Sequence, residues 1–472
     1  MELRKGTEVE LDIEKLAFGG KALARVEGFV VFAEHALPGQ RVRLMITKKK
    51  RQFAEGFVRE VLSQSDHYVE PFCPHFGICG GCSWQDLRYE EQLHWKRLHL
   101  LESLQHLAGV SEAAVHPTVP SPHPIWYRNK MEFTFSHRPW IERLDDRPVR
   151  PLQPEPLALG LHVRKSFEPV LNIEQCFLES PQAVEILGAV RQWCRESRLP
   201  AYNTRTHQGF WRFLTIREGK RTGQILVNIM TSSQGNHGRA VELLADHLCS
   251  RFPRVTTLVH SVTDRKAQVA TAEFSRTLVG LGFIEDRLGS LSFRISPESF
   301  FQTNTLAAEQ LYKTILELGE FTGRETVWDL YCGTGSIALF IAGHVHRVLG
   351  VEISEGAVTD ATENCRLNRI ENCSFVSGDI KEVIRHACDS SSSNGRPDLV
   401  ITDPPRAGMH PHVIQGLLRV APPCVITVSC NPATLARDLV PLLEHYRIET
   451  VQPFDLFPHT PHIECLVKLK RK

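Results

Sequence analysis

Over residues 1–62, apolar and polar side chains alternate in short pieces. Val9–Ile13, Gly28–Phe32, Arg41–Ile46 and Ala54–Val61 read as strands, with turns at Gly19-Gly20 and Pro38-Gly39. About five strands in so short a stretch predict a small β-barrel of the oligonucleotide-binding type. The period then lengthens. From Gln85 to Leu107, the residues Leu93, Leu98, Leu100, Leu101 and Leu104 recur at helical spacings and predict one long amphipathic helix. Residues 120–300 mix strands (Met131–Phe135, Gln224–Ile229) with helices (Pro181–Arg195, His237–Arg251), an α+β pattern. Arg143–Pro156, rich in proline and charge, reads as a loop.

Beyond residue 300 strands and helices alternate. Glu325–Tyr331 is a strand, Cys332-Gly333-Thr334-Gly335-Ser336 a tight turn, and Ile337–Gly343 the start of a helix. Further strands follow at Arg347–Glu352, Ser374–Val376, Leu399–Asp403 and Val425–Ser429. This is the pattern of a Rossmann-like sheet. The chain is therefore expected to be a multidomain α/β protein: a barrel (1–62), a central α+β domain (63–298), and a Rossmann-like domain (299–472). The helix near 85–107 can pack on the last of these.

Composition narrows the class. At 42% hydrophobic and 23% charged, the chain can bury large cores without being a membrane protein. No apolar run is long enough to span a bilayer, and the first residues lack a secretory h-region, so a cytoplasmic protein is expected. The formal net charge of +1 gives no global pull on nucleic acid. RNA affinity must come from local patches such as Lys48–Arg51, Lys468–Lys472 or the aromatic-basic Trp126–Lys130. Thirteen cysteines in such a chain point to metal or catalysis rather than disulfides. Cys73, Cys79 and Cys82 converge in one glycine-rich loop, and Cys176 is the best candidate for a fourth thiolate. Four thiolates complete either a [4Fe–4S] cluster or an all-cysteine zinc site.

Two features carry further chemistry. The glycine turn lets backbone approach a nucleotide-like ligand, and Glu352 can accept both ribose hydroxyls. Asp379, after the next strand, suits an adenine edge. The strand ending in Asp403-Pro404-Pro405-Arg406 favours S-adenosylmethionine over a dinucleotide. Separately, Val425–Ser429 delivers Cys430 to the carboxyl end of a strand, where ligands bind in open α/β sheets.

Taken together, Phe300–Asn304, Asp403–Gly408, Ser429–Thr434 and Phe454–Glu464 resemble the motifs of the RNA uracil-5-methyltransferases. The similarity is greatest to the iron–sulfur 23S rRNA enzymes with an N-terminal TRAM barrel, and it spans essentially the whole chain. The resemblance implies a [4Fe–4S] cluster on Cys73, Cys79, Cys82 and Cys176. It implies S-adenosylmethionine contacts from Gln302, Tyr331, Ser336, Glu352, Asp379 and Asp403. It also implies Cys430 as nucleophile and Glu464 as general base. Thr427 departs from the family, which often has an aromatic there, and Ser336 falls at a variable position. The expected product is 5-methyluridine at a flipped loop uridine of 23S rRNA, made by a monomer. Other readings are a tRNA uridine enzyme, an exocyclic-amine methyltransferase and a non-catalytic iron–sulfur RNA-binding protein.

Overall fold

The computed structural model describes residues 3–140, 143–144, 147–148, 157–164, 166, 168–387 and 396–472. Most of the expected loop 143–156 lies outside the described residues. Three sheets organise the rest. The N-terminal sheet has six strands in the order Glu8–Asp12, Arg41–Lys49, Phe53–Ser63, Phe29–Glu34, Ala22–Val26, Lys15–Leu16. Glu8–Asp12 alternates exposed and buried residue by residue, so one face carries Val9 and Leu11 inward. That core is completed from outside the sheet by Trp84, Leu87 and Trp95.

The central sheet has seven strands, with Trp211–Glu218 and Ile225–Thr231 at its middle. Both are buried along their whole length. One face packs helices Pro181–Ser197 and Gly238–Arg251. On the other face Arg217, 2% exposed, donates from Nε to the Pro297 carbonyl at 3.1 Å and from Nη2 to the Ser299 carbonyl. A central strand thereby holds the segment leading into the third domain.

The third sheet has the order Cys373–Ser377, Arg347–Glu352, Thr326–Leu330, Leu399–Thr402, Cys424–Ser429, Glu464–Arg471, Tyr446–Phe454. Pairing is parallel through Cys424–Ser429, and the last two strands form an antiparallel hairpin. The order reverses between Thr326–Leu330 and Leu399–Thr402, which puts a crevice beyond Leu330 and Thr402. The expected helix runs Tyr89–Ala108. Its Leu100, Leu101 and Leu104 sit in the core of this third sheet, although more than two hundred residues separate them from it in sequence. Among the described residues, no helix is long and apolar enough to cross a membrane.

Candidate active site

At the crevice, the turn after Thr326–Leu330 is bent by three residues with positive φ: Tyr331 (65°), Gly333 (53°) and Gly335 (77°). A Cβ on Gly335 would come within 2.9 Å of both Leu339 and Phe375, so this position excludes larger residues twice over. Tyr331 has a Cβ and holds the left-handed conformation at a cost, a strain typical of functional turns. Glu352 accepts from Gly333 N–H at 3.1 Å through Oε2, and from Ile353 and Ser354 N–H through Oε1. The acid and the glycine turn are thus fixed to each other.

This crevice widens into a cavity of about 1080 Å³. Gln302, Tyr331, Glu352, Asp403, Cys430 and Glu464 all line it. Strand register explains the meeting of the last three. Ser429 pairs with Cys465, so Cys430 leaves its strand beside Glu464. Thr402 pairs with Thr427, which brings Asp403 to the same end. Two predicted residues do not line the cavity. The Ser336 hydroxyl is 2.9 Å from that of Tyr312, beneath the turn. Asp379 accepts from Lys381 N–H at 3.0 Å and pairs with the Lys381 ammonium at 3.1 Å, starting the helix Ile380–Ala387.

Other lining residues went unassigned in the sequence. Phe300 and Ile353 are large apolar side chains left 63% and 70% exposed at this cavity, a surface suited to a flat ring. Arg406 donates to His462 Nδ1 at 3.2 Å, and both line the cavity. Ile353 follows the strand-ending acid directly, a signal that could have found it; the Arg406–His462 contact had none.

The electrostatics are those of crowded buried acids. Burial pushes Asp403 up to about 7. Burial first, then repulsion from Asp403, holds Glu464 well above the ordinary carboxylate range, with Arg406 pulling the other way. Cys430 is half-buried and its thiol is pushed up to about 11 by burial and by Glu464. Free of substrate, Cys430 is therefore a thiol at neutral pH.

The four other predicted cysteines also converge. Cys73, Cys79, Cys82 and Cys176 line one cavity. Cys79 bridges to Val163, and Gly80 N–H donates to the His162 carbonyl at 3.3 Å, so the cysteine loop is pinned to the end of the strand Ala158–His162 of the central sheet. Burial raises all four thiols, with Cys82 reaching about 12. Among the described residues, no group of three or more His, Cys, Asp or Glu side chains is arranged to hold a metal ion.

Residues 266–472 match the family model for tRNA (Uracil-5-)-methyltransferase, and residues 2–58 that of the TRAM domain. An RNA methyltransferase of Nitratidesulfovibrio vulgaris described as uncharacterized is 39% identical over 99% of this chain and 97% of its own. An equally uncharacterized RNA methyltransferase of Chlorobaculum tepidum is also 39% identical, over 99% and 97%. The chain belongs to the RNA uracil-5-methyltransferase family. Like other members of this family it is an S-adenosylmethionine-dependent RNA methyltransferase, with a TRAM domain ahead of a methyltransferase fold. Its architecture is similar over 98% of this chain and 99% of the other to the crystal structure of Pyrococcus abyssi tRNA (uracil-54, C5)-methyltransferase in complex with S-adenosyl-L-homocysteine, with TM-score 0.74 and 27% identity.

Proposed function

We propose that this cytoplasmic, monomeric methyltransferase makes 5-methyluridine in 23S rRNA through a covalent adduct between Cys430 and carbon 6 of the target uracil. The observation that carries the mechanism is the meeting, in one cavity, of a thiol, a buried carboxyl beside it, and the glycine-turn acid Glu352. Carbon 5 of uracil is too weak a nucleophile to attack a methyl sulfonium directly. Cys430 first gives its proton to solvent; its sulfur then bonds to carbon 6, the carbon 5–carbon 6 π pair moves to carbon 5 and the carbon 4 carbonyl as an enolate, and Glu464 stays ionised for the later step. Carbon 5 then takes the methyl group, and the broken carbon–sulfur pair stays on the donor sulfur. Glu464 next removes the carbon 5 proton. The double bond re-forms and Cys430 is expelled. A carboxylate with raised proton affinity suits that last step, because it keeps the proton it takes. Gln302, Tyr331, Glu352 and Asp403 would hold S-adenosylmethionine, with Phe300 and Ile353 beside its adenine; Ser336 would support the turn and Asp379 the start of the helix Ile380–Ala387.

We also propose a [4Fe–4S] cluster on Cys73, Cys79, Cys82 and Cys176. Four partly buried thiols lining one cavity support it. The cluster would tie the cysteine loop to the central sheet and supply no electron to methyl transfer. The choice of 23S rRNA rests on this set together with the TRAM barrel. A tRNA uridine is the second reading, supported by the whole-chain similarity to the Pyrococcus abyssi enzyme.

The mechanism is tested with RNA carrying 5-fluorouridine, which has no carbon 5 proton to lose. Wild type should form a covalent complex, and Cys430→Ala should form none and lose methylation at least 1,000-fold, as loss of a nucleophile does. Glu464→Gln should transfer methyl to ordinary RNA and then stall as a covalent complex visible on a denaturing gel. Turnover by Cys430→Ala would end the proposal.

A further inference from the structure

One ion pair lies entirely out of solvent. Lys96 and Asp455 bond to each other with side chains at 0% exposure, the only such pair among the described residues. Burial lowers the proton affinity of Lys96, and Asp455 restores part of it. A buried pair of this kind is weak evidence for stability, since apolar residues of similar volume often serve as well. What the pair grips gives it another meaning. Lys96 Nζ also donates to the Phe457 carbonyl at 3.1 Å, and Asp455 accepts from Phe457 N–H at 3.1 Å. Both backbone groups of one cavity-lining residue are thus held by the two ions. One helical turn earlier, Gln92 accepts from His459 N–H at 2.9 Å through its side-chain carbonyl, and His459 has a φ of 63°. The grip passes onward: Thr460 Oγ1 donates to the Phe457 carbonyl at 2.7 Å, and His462 N–H donates to Thr460 Oγ1 at 3.3 Å. Glu464 follows two residues later.

We propose that Lys96 and Asp455 are positioning residues for proton removal, setting through Phe457 and Thr460 where His462 and Glu464 stand. This rests on the reading of Glu464 as the base. An error of about 1 Å in such a group is enough to cost a hundredfold. The step affected is the one after methyl transfer, so the signature is a change in partition and not only in rate.

The experiment compares wild type with Lys96→Met/Asp455→Leu, which replaces both ions together. Melting temperature, kcat, KM for both substrates and the fraction of protein covalently bound to ordinary RNA at steady state are measured. The double variant should melt cooperatively, lose at least tenfold in kcat with KM changed less than about threefold, and accumulate methylated covalent complex. Should it fail to fold, Thr460→Val, which cuts the link onward to His462, decides by the same partition. Wild-type partition in the folded double variant, or in Thr460→Val where the double does not fold, overturns the positioning role alone. Absence of any wild-type adduct with 5-fluorouridine RNA overturns the covalent mechanism itself, and the positioning role with it.

Discussion

Asp403 and Glu464 end up at strand ends on either side of the strand Cys424–Ser429, with too little solvent to ionise freely. The sign of the consequence is fixed. Asp403 ionises near 3.9 in the unfolded chain and at about 7 in the folded one. The folded state then binds the extra proton, and the stability this gives is complete below pH 4 and lost as pH rises towards 7. Asp329, pushed up to about 8 by burial and by Asp403, works in the same direction. The melting temperature of Asp403→Asn minus that of wild type should therefore climb between pH 4 and pH 7 in the absence of ligand. A difference that stays flat would mean that Asp403 ionises normally. At this scale the sequence was informative where a motif tied residue type to strand end, as at Cys430, Glu352 and Asp403. At Ser336 and Asp379 the sequence did not show the local partners, a Tyr312 hydroxyl for the one and the start of the helix Ile380–Ala387 for the other. The Arg406–His462 contact joins residues 56 positions apart, and no periodicity records such a pair.

At the scale of elements, the helix Tyr89–Ala108 was legible as amphipathic, but its polar face was not legible at all. Gln92, Lys96 and His99 are buried, and together they hold two other pieces of chain. Gln92 and Lys96 grip the segment before Glu464, while His99 Nε2 lies 2.9 Å from the Leu16 carbonyl of the barrel. A polar residue at a helical position reads as solvated unless its partner is known. The cysteine loop was clearer, because three thiols in ten residues have few structural uses. Protein purified without oxygen should be brown and carry about four iron and four sulfide per chain, and Cys176→Ser should lose most of the iron. Stoichiometric zinc in place of iron would refute the cluster. Two strands of the six-stranded N-terminal sheet were not named from the sequence, Ala22–Val26 and Lys15–Leu16, the latter only two residues long.

For the whole molecule, three sheets hold the segments that lead into the cavity. The barrel turn at Gly20 approaches Pro461, the central sheet holds Ser299, and the third sheet supplies Glu464. Mass mapping of 5-methyluridine in cells lacking this protein should show loss at a 23S rRNA loop with tRNA unchanged; the reverse would move the assignment to tRNA. The Tyr89–Ala108 helix has a further consequence, during synthesis. Its apolar face docks against the helix Pro432–Leu442 and the strand Tyr446–Phe454, so on the ribosome it emerges long before its partners exist. At about 5–20 residues per second, the wait is roughly 20–70 s. Over that interval Leu100, Leu101 and Leu104 stay uncovered by their native neighbours.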